Sequence, residues 1–176
     1  MDFLAAVNEI GFSHVVEFDP KILKARDAVR AMCAEDRCRA YGKNWSCPPN
    51  CGTVEECQAK MLSYNKGILL QTTGDLKSVI DVLGYKNVGD RHNELVYKLH
   101  DILLDGDAEF LLLGAGGCRR CKKCAYPNPC RMPGKSVSSM EGYGLLVSQV
   151  CKDAGAEYNY GEKTITYSAC ILYNDK

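Results

Sequence analysis

The chain has 176 residues, and 22 Lys and Arg balance 22 Asp and Glu, so its formal net charge at neutral pH is zero. This length is typical of one domain that buries its core without help from a metal, and we expect residues 1–176 to form a single domain. A neutral chain is not expected to bind nucleic acid through bulk positive charge. We also find no apolar run of membrane-spanning length, which argues against a membrane protein.

Eleven cysteines are a large and odd number for a chain of this size. The N-terminal segment, MDFLAAVNEIGFSHVVEFD, lacks the basic start, the uninterrupted apolar stretch and the cleavage site of a secretory signal. The sequence therefore predicts a cytoplasmic protein. In that compartment thiols stay reduced, so the cysteines are better interpreted as ligands than as disulfides.

The first predicted elements are a helix, capped by Asp2 and ended by Gly11, and a strand over residues 13–18. The Asp-Pro pair at residues 19–20 then predicts a second helix that runs to about Met32. This helix brings the chain to the first of two cysteine groups.

The first cysteine group spans residues 33–57 and contains Trp45, the only tryptophan. Residues 53–56 form a capping-box pattern that predicts a helix beginning at Val54, so the last thiol of the group lies near the positive end of a helix dipole. Five thiols are one more than a four-ligand site needs. A cysteine-bearing structural loop is the alternative interpretation. In order of preference, the candidate metal ligands are Cys38, Cys47 and Cys57, then Cys33, then Cys51.

The middle of the chain alternates predicted strands and helices. Residues 67–73 predict a buried strand, and Asp75 is placed to cap a helix that reaches Leu83. A polar stretch over residues 84–90 leads to a second helix, and residues 110–113 predict the next strand. Open α/β sheets bind ligands at the C-terminal ends of their strands, so we expect a site after this strand. The apolar stripe of the second helix is Leu95, Val96, Leu99, Ile102 and Leu103.

The second cysteine group lies in residues 114–135, directly after that strand. Its first three thiols have the C-x2-C-x2-C spacing of [4Fe–4S] loops, and the fourth follows after five residues rather than the three of the bacterial ferredoxin run. Lys and Arg are frequent between the thiols, and cations lower thiol pKa and offset the negative charge of a thiolate cluster. Zinc is an alternative because it is also held by C-x2-C pairs, and a solvated basic loop is another. The candidate metal ligands are Cys118, Cys121, Cys124 and Cys130, and the candidate cofactor-binding cations are Arg119, Arg120 and Arg131.

The last third of the chain predicts one more helix and one more strand. A capping-box pattern over residues 138–141 predicts a helix that Gly155 ends, with Cys151 as a packed core thiol. Residues 164–173 alternate in the manner of a strand, which could pair with residues 157–160 as a hairpin.

Both cysteine groups together resemble one known family. The chain is similar to a cysteine-rich family of predicted metal-binding proteins, chiefly of anaerobic bacteria and archaea, catalogued as a domain of unknown function. The resemblance spans nearly the whole chain, implies metal binding and brings no reaction with it. The motifs that carry it are Cys33 and Cys38, YGKNWSCPP at residues 41–49, Cys118-x2-Cys121-x2-Cys124, Cys130-Arg131-x-Pro133 and Ser139-Met140-Glu141. The positions it implies as metal-facing are Cys33, Cys38, Cys47, Cys118, Cys121, Cys124 and Cys130.

The sequence thus predicts an α/β domain with a sheet of about four strands, flanked by helices and carrying two cysteine-rich metal-binding loops. The leading hypothesis is a protein with one or two [4Fe–4S] clusters that transfers electrons for an anaerobic redox partner, which could be acidic and dock on the basic loop. A zinc-binding structural or adaptor protein is the alternative. A cluster-dependent enzyme or metal-handling accessory ranks lower, because no general base or nucleophile is evident beside the thiols.

Overall fold

The computed structural model describes residues 2–106 and 109–175. Its strands form one sheet, and its helices lie on both faces of that sheet. The strands are β1 (His14–Phe18), β2 (Lys66–Asp75), β3 (Phe110–Gly114), β4 (Ser138–Ser139) and β5 (Thr164–Tyr173). The helices are α1 (Phe3–Ile10), α2 (Asp27–Ala34), α3 (Val54–Leu62), α4 (Val82–Asp105) and α5 (Val147–Ala154), with a 3-10 turn over Pro20–Ile22.

The strand order is β1-β2-β5-β3-β4, which confirms the α/β class but corrects the expected count of about four strands to five. The additional strand is β4, two residues long, in a segment whose serines suggested a helix cap. Only β3 and β4 run parallel, while the other neighbours are antiparallel. The rule that open parallel sheets bind ligands at the C-terminal ends of their strands does not apply to this mostly antiparallel sheet. The second cysteine group nevertheless follows the C-terminal end of β3, as expected.

The middle strand of the sheet is β5, and side chains on both of its faces are apolar and buried. Cys170 and Leu172 pack on one face, whereas Ala169 and Ile171 pack on the other. It pairs with β2 from Thr164 to Tyr173 and with β3 on its other edge. The expected hairpin with residues 157–160 was wrong: those residues form no strand, β2 pairs with β5 over its whole length, and β3 pairs with residues 170–173 on the other edge.

Each face of the sheet has its own hydrophobic core. One core joins the sheet to α1 and α4, through side chains such as Val7 and Leu99. The other joins it to α3 and α5, through Met61 and Val150. This second core contains Cys57 of the first cysteine group, and Cys51 packs against it. Across the described chain, no helix is long and apolar enough to cross a membrane.

The first helix and the capping box of α3 are confirmed, but the helix expected from residue 20 to Met32 was wrong. The chain forms one 3-10 turn and is extended at Leu23 before α2 begins at Asp27. Tertiary hydrogen bonds hold this extended segment: Ala25 N–H donates to Gln58 Oε1 at 2.7 Å, and Arg26 N–H donates to the Gly144 carbonyl at 2.8 Å. These partners are distant in sequence, so a local pattern could not reveal them.

Two further helix boundaries differ from those expected. Asp81, rather than Asp75, caps α4, and the helix continues through the polar stretch that was expected to interrupt it. Gly89 within that stretch and His92 just after it are buried, so this part of the helix packs despite its polar composition. The last helix begins at Val147 instead of near residue 140, and Gly155 ends it in the left-handed conformation as expected. Cys151, which lies on this helix, is fully buried in the core, as expected.

Candidate metal centres

The second cysteine group is a loop whose two ends are fixed side by side. It leaves the sheet at Gly114 in β3 and returns at Ser139 in β4, and these two residues are paired in the parallel register. Met140 N–H also donates to the Gly114 carbonyl at 3.0 Å. The loop therefore closes on itself at the sheet edge, and its thiols are confined to a small volume beyond that edge.

The four thiols of this loop line one cleft, which we call the loop cleft. All four cysteines are half-buried. Trp45 from the first cysteine group covers the cleft, where its ring packs edge-on against Tyr126 at a centroid distance of 4.9 Å. The loop cleft thus brings together the four thiols that the spacing predicts as ligands. Its cysteines are Cys118, Cys121, Cys124 and Cys130.

The three candidate cations occupy different positions around these thiols. Arg120 lines the loop cleft with its side chain only 10% exposed, donates to Asp101 at 2.8 Å and lies over the Tyr97 ring at 4.6 Å. Arg131 also lines the loop cleft and donates to the Lys123 carbonyl at 2.9 Å. Arg119 is exposed and lines a different cavity. A role for these cations beside a cofactor stays a prediction.

That different cavity, which we call the first cavity, has a volume of about 380 Å³ and collects most of the first cysteine group. Cys33, near the end of α2, contributes to its wall together with Cys38 and Cys47 from the following loop. Cys118 and Glu141 also line it, together with the polar residues Tyr41, Asn44, Arg119 and Ser139. Since Cys118 lines both spaces, the first cavity and the loop cleft share a wall.

Asp36 shapes the loop that presents Cys38. Its carboxylate accepts hydrogen bonds from the Tyr41 N–H at 2.9 Å and from Lys43 Nζ at 2.5 Å. The hydrogen bond from Lys43, followed by that from Tyr41, holds the pKa of Asp36 below its usual value. Asp36 and Arg39 are themselves in the left-handed conformation, which residues with a side chain adopt only when their surroundings impose it.

Direct hydrogen bonds join the two cysteine groups. Asn44 Nδ2 donates to the Cys118 carbonyl at 3.3 Å, and Cys118 N–H donates to Ser46 Oγ at 2.8 Å. Trp45 Nε1 donates to the Asn128 carbonyl at 3.0 Å. The residues 44–46 therefore position the two sets of thiols against each other, and the groups act as one structural unit.

Cys51 and Cys57 lie elsewhere, for they are not among the described residues that line the first cavity or the loop cleft. They meet Arg30, whose Nη1 is 3.6 Å from Cys51 Sγ and 3.8 Å from Cys57 Sγ. A hydrogen bond from the Cys51 thiol, helped by the charge of Arg30, lowers the pKa of Cys57 to about 7. Burial of Cys57 acts in the opposite direction but is outweighed. The same hydrogen bond, together with burial, raises the pKa of Cys51.

Two thiols of the first cavity, Cys33 and Cys47, are held protonated by their surroundings in the absence of metal, because the pKa of each is raised. Burial raises the pKa of Cys33, and the nearby charges of Glu141 and Cys38 raise it further. Burial also raises the pKa of Cys47. Metal binding at this cavity must therefore release protons, which makes it dependent on pH.

The donor chemistry of both spaces fits a metal centre rich in thiolates. In the first cavity, Glu141 Oε2 is buried and has no hydrogen-bond partner among the described residues, so an acceptor there is available to a cation. The thiols are spread over the walls: no three Cys, His, Asp or Glu side chains of residues 2–106 and 109–175 are grouped closely enough to share one bare metal ion. The ligand set itself stays a prediction.

Sequence reasoning missed the roles of Arg30 and of the carboxyl group of Glu141. Arg30 lies on α2, and no sequence pattern singled it out. It nevertheless donates to the carbonyls of Gly142 and Gly52, each at 2.6 Å. Glu141 was noted only as part of a helix-capping pattern and of the family resemblance, and the second of these was the available signal.

Three comparisons with known proteins were made. A family model described as "Predicted metal-binding protein (DUF2284)" matches residues 16–173, which include both cysteine groups. The search of curated proteins and the search of solved structures each found no match.

Proposed function

Because the chain belongs to the DUF2284 family of predicted metal-binding proteins, we propose that its metal is an iron–sulfur cluster and that it transfers electrons for a redox partner in anaerobic metabolism. The observation that carries this proposal is the loop cleft. Four thiols with C-x2-C-x2-C-x5-C spacing line one space on a loop whose ends are tied together. A [4Fe–4S] cluster, when bound, takes up and releases single electrons at a potential set by its surroundings.

The residues around the loop cleft supply such surroundings. Trp45 lines one side of the cleft and packs against Tyr126, and the buried Arg120 places a positive charge at the cleft wall. A cation near the sulfurs favours the reduced, more negative state. Asp101 pairs with Arg120 and holds its guanidinium in place. These side chains would both bind the cluster and tune its potential.

The shared wall at Cys118 supports a second centre in the first cavity. Two centres on either side of one residue are close enough for electrons to pass between them, so the pair would form a short relay. We propose one centre in each space, with Cys51 and Cys57 outside both.

The outer surface of the loop supports docking of an acidic redox protein. Lys122 and Lys123 are exposed and, within the described chain, neither forms a salt bridge. Opposite charge on a partner would steer it to this face and toward the thiols. We place the protein in the cytoplasm, where reducing conditions keep its thiols available.

The proposal is tested on protein purified without oxygen, by measuring iron and acid-labile sulfide per chain and the absorption spectrum before and after dithionite. About eight irons and eight sulfides with a band that dithionite bleaches support two centres, and about four support one. Zinc without sulfide would refute electron transfer and favour a structural role. Cys124→Ser should lower the iron and sulfide content, whereas the matched control Cys151→Ala, a buried thiol away from both spaces, should not.

A further inference from the structure

The first cavity contains one thiol fewer than a four-ligand site requires if Cys118 serves the loop cleft. Cys118 begins the C-x2-C-x2-C run and lines the loop cleft with its three partners. That leaves Cys33, Cys38 and Cys47 for the first cavity. Cys51 and Cys57, which might have supplied the fourth ligand, are engaged with Arg30 instead.

Glu141 is placed where the fourth ligand is needed. It lines the first cavity together with the three thiols. Its backbone carbonyl lies 3.8 Å from Cys33 Sγ, so the residue is a direct neighbour of one ligand. The carboxyl oxygen Oε2 is buried and has no hydrogen-bond partner among the described residues. Burying an acceptor without a partner costs free energy, and a bound cation would remove that cost.

The turn that carries Glu141 is held rigidly. Gly142 N–H donates to Ser139 Oγ at 2.8 Å, and Gly144 N–H donates to the Glu141 carbonyl at 2.9 Å. Arg30 ties the same turn to α2 through the Gly142 carbonyl at 2.6 Å. Because α2 also carries Cys33, the carboxyl group and this thiol are fixed relative to each other before any metal binds. Such preorganisation is expected of metal ligands.

We propose that Glu141 is a metal ligand and completes a site of three thiolates and one carboxylate with Cys33, Cys38 and Cys47. This assignment rests on the proposed cluster in the first cavity, since these side chains are too far apart in the described chain to share one metal ion, but it does not depend on electron transfer. Carboxylate oxygen is a common ligand for iron and zinc alongside thiolate. The metal position held by Glu141 would be the one most easily exchanged, because its ligand is the least thiophilic.

The test uses the full chain reconstituted with iron and sulfide, and compares Glu141→Gln with wild type. The amide keeps the shape of the side chain but is a poor ligand, so we expect loss of the first centre and, for any metal retained there, release to a chelator faster by about tenfold or more. Glu35→Gln is the matched control, since Glu35 is exposed, lies near Cys33 in the chain and pairs with Arg37 at 2.7 Å. It should keep the wild-type metal content.

A second variant separates ligation from structure. Glu141→Ala removes the carboxylate, and added formate should restore the first centre if a carboxylate ligand is what was lost. Formate can reach the position, because Cys33, Cys38 and Glu141 also line an adjoining groove of about 300 Å³. Rescue is not expected for a residue with a structural role, and absence of rescue in a folded chain contradicts the assignment.

The outcomes distinguish the two proposals. Wild-type chain without metal in the first cavity would refute the proposed second centre and this assignment with it. Wild-type chain with two centres, together with Glu141→Gln that keeps both and an unchanged spectrum, would overturn only the role of Glu141. A Glu141→Gln chain that cannot fold without metal would also overturn the assignment of Glu141 as a ligand. Glu141 Oε2 has no hydrogen-bond partner among the described residues, so this oxygen should not be needed for folding.

Discussion

Gly117 offers a sharp test of whether the sulfur of Cys47 is held by a metal. A Cβ added at Gly117 would lie 2.7 Å from Cys47 Sγ, whereas ordinary contacts begin at 3.4 Å. The sulfur must therefore retreat by about 0.7 Å in Gly117→Ala, while metal–ligand distances tolerate only about 0.2 Å. In the metal-free chain the Cys47 side chain can rotate away, at a cost of about 1 kcal/mol. In the metal-bound chain it cannot do so without breaking a bond.

We accordingly expect Gly117→Ala to lower the free energy of urea unfolding of the metal-free chain by only about 1 kcal/mol and to reduce metal retention in the first cavity by about tenfold or more. The matched control is Gly116→Ala. Gly116 has φ +73° and open space where a Cβ would be added, so its substitution strains the backbone by about 1–2 kcal/mol without touching the thiol.

Metal per chain after passage over a chelating resin, together with unfolding of the metal-free protein, measures both effects. If Gly117→Ala retains metal like the wild type while Gly116→Ala loses it, Cys47 is not a ligand and the reasoning fails.

Three other predictions concern buried charges and thiols. In the metal-free, reduced chain, the ultraviolet absorbance of the Cys57 thiolate should titrate near pH 7 and be absent from Cys57→Ser. Arg30→Met should move this titration to higher pH, and an unchanged titration would contradict the pairing of Arg30 with Cys57. Burial lowers the pKa of His92 from 6.5 to about 4, so its neutral form contributes stability that is complete above pH 6.5 and is lost as the pH falls toward 4. The metal-free wild type should therefore lose about 2 kcal/mol more than His92→Gln between pH 7 and 5, measured by urea unfolding, and equal losses would refute this. Arg120→Ala should cost about 1 kcal/mol, because Asp101 is 40% exposed and keeps Lys135 Nζ at 3.2 Å, and Asp101→Asn should cost less; equal stability of Arg120→Ala and wild type would show that the pair contributes nothing.

Local signals in the sequence were sufficient for the short elements and for the loop cleft. The Thr53 cap depends on residues within one turn, and the structure contains both of its reciprocal hydrogen bonds. The C-x2-C-x2-C spacing likewise specifies its own geometry, because two-residue gaps return each thiol to the same side of the loop. Cys118, Cys121 and Cys124 therefore line one space, as the spacing predicts.

Tertiary structure decided which thiols of the first group belong together. Cys57 has the better helix position and was preferred over Cys33, yet it faces Arg30, whereas Cys33 lines the first cavity. The choice depends on Arg30 and Glu141, which are brought to these thiols by α2 and by the turn after β4. Contacts between residues so distant in sequence leave no periodic pattern.

The sequence by itself determined the chemistry of this protein: many thiols, a basic loop, an α/β core and the family to which the chain belongs. The tertiary structure decided the partition of those thiols, the shared wall at Cys118 and the buried carboxyl oxygen of Glu141. The physical reason is that residue type and short spacing limit what a side chain can bind, whereas the packing of distant segments sets which side chains can reach the same atom.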